Sequence, residues 1–276
     1  MSMRFRDSVV WVTGASSGIG EAAARQFHAE GAHVVLSARR GKELERVAAD
    51  CGDGGDVLVS PFDVTDEQAV SAAARTVLGR FGRVDILFNN AGITQRARVA
   101  DACLDVYRTM MDVNFFGPLM LTKAVLPSML EKGRGHIVCT TSVAGKYGSP
   151  MRSGYNAAKH AAHGFFDSLR EEVSESGVAV TLIVPGAVRT NVSINALRGD
   201  GSRYDKMDPF LEDGMSPADC AKRILDAVNA GKREVLIADG VARRNVILKR
   251  WSPALLSWTT RRRKPGRTTV PAGGST

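Results

Sequence analysis

The chain has 276 residues, of which 44% are hydrophobic and 24% charged, enough for one large globular domain or two small ones. Its four cysteines are far apart and form no CxxC pair, so neither a zinc site nor a disulfide framework is predicted, and no metal is expected. The net charge of +8 arises in the C-terminal tail, because residues 1–239 carry 28 basic and 29 acidic side chains; this excludes a generally basic nucleic-acid surface.

The N-terminal residues 1–7 lack the apolar segment of a signal peptide. We also expect no stretch near the roughly 20 apolar residues that a membrane span requires. The sequence therefore predicts a cytoplasmic protein whose thiols are reduced and buried.

The first predicted strand, residues 8–12, runs into a glycine-rich turn that opens a helical pattern over residues 21–30. Strand, glycine turn and helix are the context in which a dinucleotide-binding motif is meaningful, because glycines let the backbone approach a pyrophosphate at the helix N-terminus. The predicted cofactor residues of this turn are Gly14, Ser16, Ser17, Gly18, Ile19 and Gly20.

The second predicted strand, residues 33–37, is followed by Ala38, Arg39 and Arg40. In a βαβ unit of this type, an acid at the end of the second strand binds the ribose 2′-hydroxyl of NAD, and a nearby arginine accommodates the 2′-phosphate of NADP. The two arginines therefore favour NADP(H) over NAD(H). Alternatively, they are only solvated side chains at a helix start, and Ser17 stands where a basic residue would strengthen the NADP interpretation.

Two further strands end in candidate site residues. Asp63 and Val64 follow the strand at 57–62, and Asn90, Ala91 and Gly92 follow the strand at 84–88. The asparagines that end this strand have either a structural role between strands or a cofactor contact. A long helix, about 105–130, places Asn114 among apolar residues, where a buried amide must be hydrogen-bonded. Asn114 is thus either a structural clamp or part of a proton relay.

The next strand, 136–141, ends at Ser142, and the helix after it carries Tyr155 and Lys159. Residues four apart lie on the same face of a helix, so the ammonium and the phenol can share one cleft. A nearby positive charge favours phenolate, which makes a tyrosine a usable proton donor or acceptor. The alternative is a solvated Tyr/Lys pair. A further strand, 178–184, stops at Pro185 and Gly186.

Strands alternate with helices throughout, which predicts an α/β protein with a Rossmann-type, doubly wound parallel sheet in a single domain over residues 1–240. In such sheets ligands bind beyond the carboxyl ends of the strands. The candidate residues above all follow strands or lie on the helices next to them, so one binding cleft is expected at that edge.

The chain contains, in this order, TGASSGIG, NNAG, Asn114, Ser142, YNAAK and PG with Thr190. In the order and spacing of these motifs, residues 7–240 resemble the classical short-chain dehydrogenases/reductases. Residues 191–197 and 200–204 are further similar to the dehydrogenase/reductase member 7-like subgroup.

The resemblance implies a role for each matching residue. Tyr155 is the acid in carbonyl reduction and the base in alcohol oxidation, while Ser142 hydrogen-bonds the substrate oxygen and steadies its charge. Lys159 binds the nicotinamide ribose and tunes Tyr155, and Asn114 completes a proton relay. Residues that hold NADP(H) include Gly14, Ser16, Ile19, Arg39, Asp63, Asn90, Val188 and Thr190.

The expected activity is NADP(H)-dependent interconversion of a carbonyl and a secondary alcohol, with hydride transfer that needs no metal. Two alternatives stay open: an epimerase or dehydratase with the same Tyr/Lys chemistry, and a nucleotide-binding regulator or scaffold. The complete set of Asn114, Ser142, Tyr155 and Lys159 argues against the scaffold.

Residues 191–215 are predicted to form a lid over the site, and its apolar side chains favour a small lipophilic substrate. They are Ile194, Leu197, Tyr204, Met207, Phe210 and Leu211. The alternative is a surface insertion. The apolar and basic extension at 241–264 suits a peripheral membrane contact, a subunit interface of a homodimer or homotetramer, or a cover over the cleft. Residues 265–276 are predicted to be disordered.

Overall fold

The computed structural model of the chain describes residues 3–52 and 55–262. The disorder predicted for residues 265–276 lies outside these ranges. Seven strands form one parallel sheet in the order β3-β2-β1-β4-β5-β6-β7. They are β1 Val9–Thr13, β2 His33–Ser37, β3 Val57–Val59, β4 Ile86–Asn89, β5 Gly135–Thr140, β6 Val178–Pro185 and β7 Glu234–Ile237. This confirms the predicted doubly wound α/β fold.

Helices cover both faces of the sheet. They are α1 Gly18–Ala29, α2 Gly41–Ala49, α3 Glu67–Phe81, α4 Leu104–Met111, α5 Gly117–Glu131, α6 Ser153–Glu172, α7 Pro209–Glu212, α8 Pro217–Asn229, α9 Gly240–Trp251 and α10 Pro253–Arg262. One apolar core packs the sheet against α1, α2 and α8, and a second packs it against α3, α5 and α6. Because helices cover both faces, the central strands are continuous apolar runs, as in β1, where all five residues are buried.

The helix predicted over residues 105–130 is interrupted. A π-helical turn, Asp112–Phe116, separates α4 from α5. Asn114 lies in this turn, and its Nδ2 donates to the Met110 carbonyl oxygen four residues earlier, at 3.0 Å. The hydrophobic pattern did not indicate the interruption, because one widened turn leaves the apolar stripe almost unchanged. Single π turns inside α-helices often occur at functional sites.

Of the described residues, one helical run, Leu104–Glu131, is long and apolar enough to cross a membrane by length and composition alone. No such run was expected from the sequence. Leu121, Val125 and Met129 of this run are buried against the sheet. Core helices of this kind meet the same two criteria.

Thr65, with Gln68 three residues later, fits the sequence pattern of a helix N-cap, but helix α3 begins one residue further on. Its N-cap is Asp66, whose Oδ1 accepts hydrogen bonds from the backbone N–H groups of Gln68 and Ala69. Thr65 instead bonds Asp63 through both its backbone N–H and its hydroxyl. Either oxygen-bearing side chain can cap a helix, so the sequence alone did not decide between them.

The thiols are less uniformly buried than expected. Cys139 and Cys220 are buried, and burial raises the pKa of each thiol to about 12, but Cys51 is half-buried and Cys103 is exposed. In the part of the chain that the structure describes, no group of three His, Cys, Asp or Glu side chains is arranged to hold a metal ion.

Two histidines are predicted to make the fold acid-sensitive. Burial lowers the pKa of His136 to about 4 and of His163 to about 3, from 6.5. Both stay neutral in the folded chain while the unfolded chain takes up protons below pH 6.5. The free energy of unfolding should therefore fall as the pH drops from 6.5 toward 4, by about 1.4 kcal/mol per pH unit for each histidine. Urea unfolding of a His136→Gln, His163→Gln double variant should show a shallower fall across this range, and an unchanged slope would contradict the assignment.

The C-terminal extension folds into α9 and α10, which are separated at Pro253. Leu256 is buried, whereas Ile247, Trp251, Leu255 and Trp258 are between 45% and 82% exposed. The extension is thus anchored on the domain through one side and presents a large apolar surface on the other.

Candidate active site

A cavity of about 540 Å³ opens at the carboxyl ends of the strands, where the sequence predicted a cleft. The structure places twenty of the predicted site residues on its wall. They are Gly14, Ser16, Ser17, Gly18, Ile19, Arg39, Arg40, Asp63, Val64, Asn90, Ala91, Gly92, Asn114, Ser142, Tyr155, Lys159, Pro185, Gly186, Val188 and Thr190. Residues from most of the chain therefore converge on one elongated site.

Gly20 is predicted to contact the cofactor but does not line this cavity. A Cβ atom at this position would lie 2.3 Å from the Gly14 carbonyl oxygen and 2.5 Å from Asn90 Nδ2. The missing side chain therefore serves the close packing of α1 on the turn after β1. Gly14, in contrast, has φ +65° and lines the cavity, so it supplies both the turn and the open backbone.

The two arginines at the end of β2 take different positions. The Arg40 guanidinium extends over the glycine turn, and its Nη2 donates to Ser16 Oγ at 3.0 Å and to Ser17 Oγ at 3.1 Å. The Arg39 side chain is 70% exposed, with Nη1 3.7 Å from Asp63 Oδ2. Together they make this end of the cavity positive. Ser17 thus has a guanidinium beside it, although it is not itself basic.

Asn90 holds three strands together at the floor of the cavity. Its Nδ2 donates to the Thr13 carbonyl oxygen at 3.1 Å, and its Oδ1 accepts from Thr140 Oγ1 at 3.2 Å. These bonds link the ends of β1, β4 and β5. Asn90 therefore has the structural role between strands that the sequence left open, and it also forms part of the cavity wall.

Tyr155 and Lys159 lie one helical turn apart on α6 and line the cavity together. The Lys159 side chain is buried, its Nζ donates to the Thr140 carbonyl oxygen at 2.8 Å, and Nζ lies 5.8 Å from the centre of the Tyr155 ring. The pair is therefore not a solvated one. The Lys159 ammonium and the Tyr155 ring face the same cavity from adjacent turns of α6.

Ser142 and Asn114 are held in place by the backbone. Ser142 Oγ accepts a hydrogen bond from the Ala144 N–H at 3.1 Å, in the turn between β5 and α6. Asn114 Oδ1 accepts from the Ile93 N–H at 3.3 Å, and its Nδ2 bonds Met110. Asn114 is therefore a structural clamp between the π turn and the loop after β4, and it also faces the cavity that holds Lys159.

A second cavity of about 390 Å³ adjoins this site. Ser142, Tyr155, Gly186, Val192 and Leu211 line both cavities. Its other walls come from the loop after β4, the start of α6, the lid and the first turns of α9. The lining residues that were not predicted from the sequence are Thr94, Arg96, Val143, Ala144, Tyr147, Ser149, Arg152, Ala187, Asp239, Val241, Ala242 and Asn245.

The predicted lid segment contributes unequally to the two cavities. Leu197 and Leu211 line the first, and Phe210 and Leu211 line the second, whereas Ile194, Tyr204 and Met207 line neither. The lid also adds polar side chains that its apolar residues did not suggest, Asn191, Asn195 and Arg203.

The sequence pattern of the short chain dehydrogenase family matches residues 8–200, which contain both the glycine turn and the Tyr155–Lys159 pair. The chain therefore belongs to the short-chain dehydrogenase/reductase family of oxidoreductases.

Within this family, the chain is 44% identical over 255 residues to the mouse protein named dehydrogenase/reductase SDR family member 7B, covering 91% of this chain and 79% of the mouse one. A short-chain dehydrogenase/reductase from Burkholderia phymatum, solved in complex with NAD, superposes with a TM-score of 0.82 at 25% identity, over 91% of this chain and 96% of that one. An alcohol dehydrogenase from Thermococcus sibiricus, solved with 5-hydroxy-NADP, gives a TM-score of 0.73 at 28% identity, over 84% and 96%.

Proposed function

We propose that the protein interconverts a carbonyl and a secondary alcohol on a small, mainly lipophilic substrate, using NADP(H) as the hydride carrier. The observation that carries this proposal is that Ser142 and Tyr155 line both cavities. An elongated cavity with a glycine turn and two arginines suits a dinucleotide phosphate. A smaller, partly apolar cavity that meets it at a tyrosine and a serine suits the substrate.

The bound nicotinamide would supply or accept the hydride. In reduction, Tyr155 Oη donates a proton to the substrate oxygen, and in oxidation it accepts that proton. Ser142 Oγ donates a hydrogen bond to the same oxygen and stabilises its developing charge. Lys159 would bind the nicotinamide ribose beside Tyr155, and Asn114 holds the loop after β4 against the π turn.

Two observations support a nicotinamide cofactor. The glycine turn between β1 and α1 lines the first cavity beside the N-terminus of α1, where backbone N–H groups suit a pyrophosphate. The Burkholderia and Thermococcus relatives were solved with NAD and with an NADP derivative, respectively. The choice of NADP(H) rests on the charge of Arg39 and Arg40.

The decisive experiment follows a labelled hydride. The protein is incubated with NADPH carrying deuterium at both hydrogen positions of nicotinamide C4 and with a panel of apolar ketones and keto acids. Mass spectrometry should find one deuterium on the carbinol carbon of the alcohol. Products that lack deuterium, or an epimerised or dehydrated product without net reduction, would contradict the proposal.

Cofactor preference tests the two arginines separately. Fluorescence titration at fixed salt should show tighter binding of NADPH than of NADH. A charge-assisted contact to the 2′-phosphate is worth about 1.5–3 kcal/mol, so Arg39→Ala or Arg40→Ala should weaken NADPH binding about ten- to a hundredfold and leave NADH binding nearly unchanged. Lys42→Ala, an exposed cation on α2 outside the cavity, is the control. Equal loss for both cofactors would mean that the arginines only support the glycine turn.

We further propose a cytoplasmic homodimer or homotetramer. The exposed apolar side chains of α9 and α10 support an assembly, as do Leu104, Phe116 and Leu130 on the α4–α5 run. Sedimentation velocity should give a dimer or tetramer, and Trp251→Glu should weaken it if α9 is in the interface. A monomer that co-sediments with vesicles of anionic lipid would instead favour the peripheral membrane contact.

A further inference from the structure

The second cavity contains a charged cluster beside its apolar wall. Arg96, after β4, and Arg152, at the start of α6, both line the cavity, and Asp208 of the lid lies between them. The side chains of Arg96 and Asp208 are 8% and 13% exposed, and that of Arg152 is 23% exposed. Charges at this depth are costly unless they are paired.

The Asp208 carboxylate is hydrogen-bonded to Arg96 and not to Arg152. Asp208 Oδ2 accepts from both Nε, at 2.9 Å, and Nη2 of Arg96. Arg152 Nη2 lies 3.6 Å from that same oxygen, too far for a direct hydrogen bond. Its guanidinium carbon also lies 4.9 Å from the centre of the Phe210 ring. Within residues 3–52 and 55–262, the Arg152 side chain donates no direct hydrogen bond.

The other ionisable groups around the cavity do not neutralise Arg152. Asp239 lines the cavity, but its Oδ1 accepts the Ala242 N–H at 2.6 Å as the N-cap of α9. Tyr147 and Tyr155 are the remaining groups that face Arg152. Burial and the neighbouring Arg96 lower the pKa of Arg152 to about 10, so the guanidinium stays charged at neutral pH, and among the described residues no carboxylate forms a hydrogen bond with it.

We propose that the substrate carries an anionic group, a carboxylate or a phosphate, that binds the free guanidinium edge of Arg152 while its carbonyl lies at Ser142 and Tyr155. A planar guanidinium binds such groups through two parallel hydrogen bonds. The Arg96–Asp208 pair acts as a positioning element that leaves Arg152 facing the cavity. This inference rests on the proposed function and narrows its substrate from lipophilic to amphiphilic.

The second cavity also has an apolar wall that the rest of such a substrate can contact. Val143, Val192, Phe210, Leu211 and Val241 line the same cavity as the two arginines. Arg152 immediately precedes α6, Tyr155 lies in the first turn of that helix, and both side chains line this cavity, so one substrate can reach both groups. A ketone with an acidic group a few bonds away and an apolar remainder satisfies both surfaces.

The test compares anionic ketones with their neutral methyl esters. The pairs are 3-benzoylpropionate with its methyl ester, and phenacyl phosphate with its dimethyl ester. Binding to the NADPH complex is measured by calorimetry in the catalytically inert Tyr155→Phe variant, and kcat/KM is measured in the active protein. One charge-assisted bidentate contact should favour the anionic member at least tenfold. The carboxylate and phosphate pairs separate the two anion sources.

Three variants test whether Arg152 causes the preference for the anionic ketones. Arg152→Gln should remove the preference for the anion through KM, and Arg152→Lys should restore part of it. Arg198→Gln, a lid arginine outside both cavities, should keep it. Esters that bind as well as acids, no detectable binding of any probe, or a preference that survives Arg152→Gln would overturn the inference. If the anions bind as expected but no ketone accepts deuteride, the proposed function fails while the anion site stands.

Discussion

Replacing Tyr155 with phenylalanine should lower kcat by about 10²–10⁴, the usual contribution of a positioned general acid or base. The substitution removes only Oη and keeps the ring whose centre lies 5.8 Å from Lys159 Nζ. NADPH binding should therefore be unchanged in a fluorescence titration, and the loss should appear in single-turnover kinetics of the hydride step. A phenylalanine variant with more than a tenth of the wild-type rate would rule out this role for Tyr155.

Tyr107→Phe is the matched control, because it makes the same chemical change on a neighbouring helix. The Tyr107 hydroxyl pairs with Ser153 Oγ at 2.9 Å and lies outside both cavities. Losing this hydrogen bond should cost about 1 kcal/mol of stability and leave turnover intact. Equal loss of turnover in both variants would indicate a general disturbance of α6.

The second large effect is expected from Asp208→Asn. Removing one partner of a buried ion pair leaves the other charge uncompensated, which typically costs about 3–5 kcal/mol. Here the substitution leaves Arg96 without its paired carboxylate and removes the negative charge nearest to Arg152. The midpoint of urea unfolding should fall accordingly, with the m-value unchanged if the lid stays part of the cooperative unit.

Asp205→Asn controls for charge removal in the same segment. Asp205 is exposed and has φ +53°, a conformation that asparagine also tolerates, so its loss should change stability by less than about 0.5 kcal/mol. If Asp208→Asn is no more destabilising than this control, then the Arg96–Asp208 pair contributes little, and Arg152 loses its positioning element.

Much of the fold and of the first cavity was predictable from the sequence for one physical reason. Buried parallel strands are short apolar runs, and the residues after them must meet at one edge of the sheet. Gly14, Asn90, Ser142 and Pro185 each follow such a run. Their convergence needed no knowledge of side-chain geometry.

The errors come from features that leave no periodic signal. Gly20 belongs to the same glycine turn as Gly14. Only its short distance to the Gly14 carbonyl oxygen shows that Gly20 packs inside the turn and does not line the cavity. The π turn at Asn114 is one residue of extra width in a helix. Both assignments depend on distances of a few ångströms that sequence spacing does not encode.

The charged cluster of the second cavity was missed because its members are far apart in sequence. Arg96 and Asp208 are 112 residues apart, and neither belongs to a recognisable motif. An arginine or aspartate in a loop is most often solvated, so nothing in the chain distinguishes these two from the many others. A pairing of this kind becomes visible only once the lid is placed on the domain.

The wall that α9 gives to the second cavity separates the shape of this chamber from the chemistry proposed at Tyr155 and Ser142. Tyr155 and Ser142 are held by α6 and by the end of β5, which pack on the sheet. Val241, Ala242 and Asn245 come from α9, a helix after β7 in which no described residue is fully buried. Substitutions of those three side chains should therefore change which substrates the chamber admits without moving Tyr155 or Ser142.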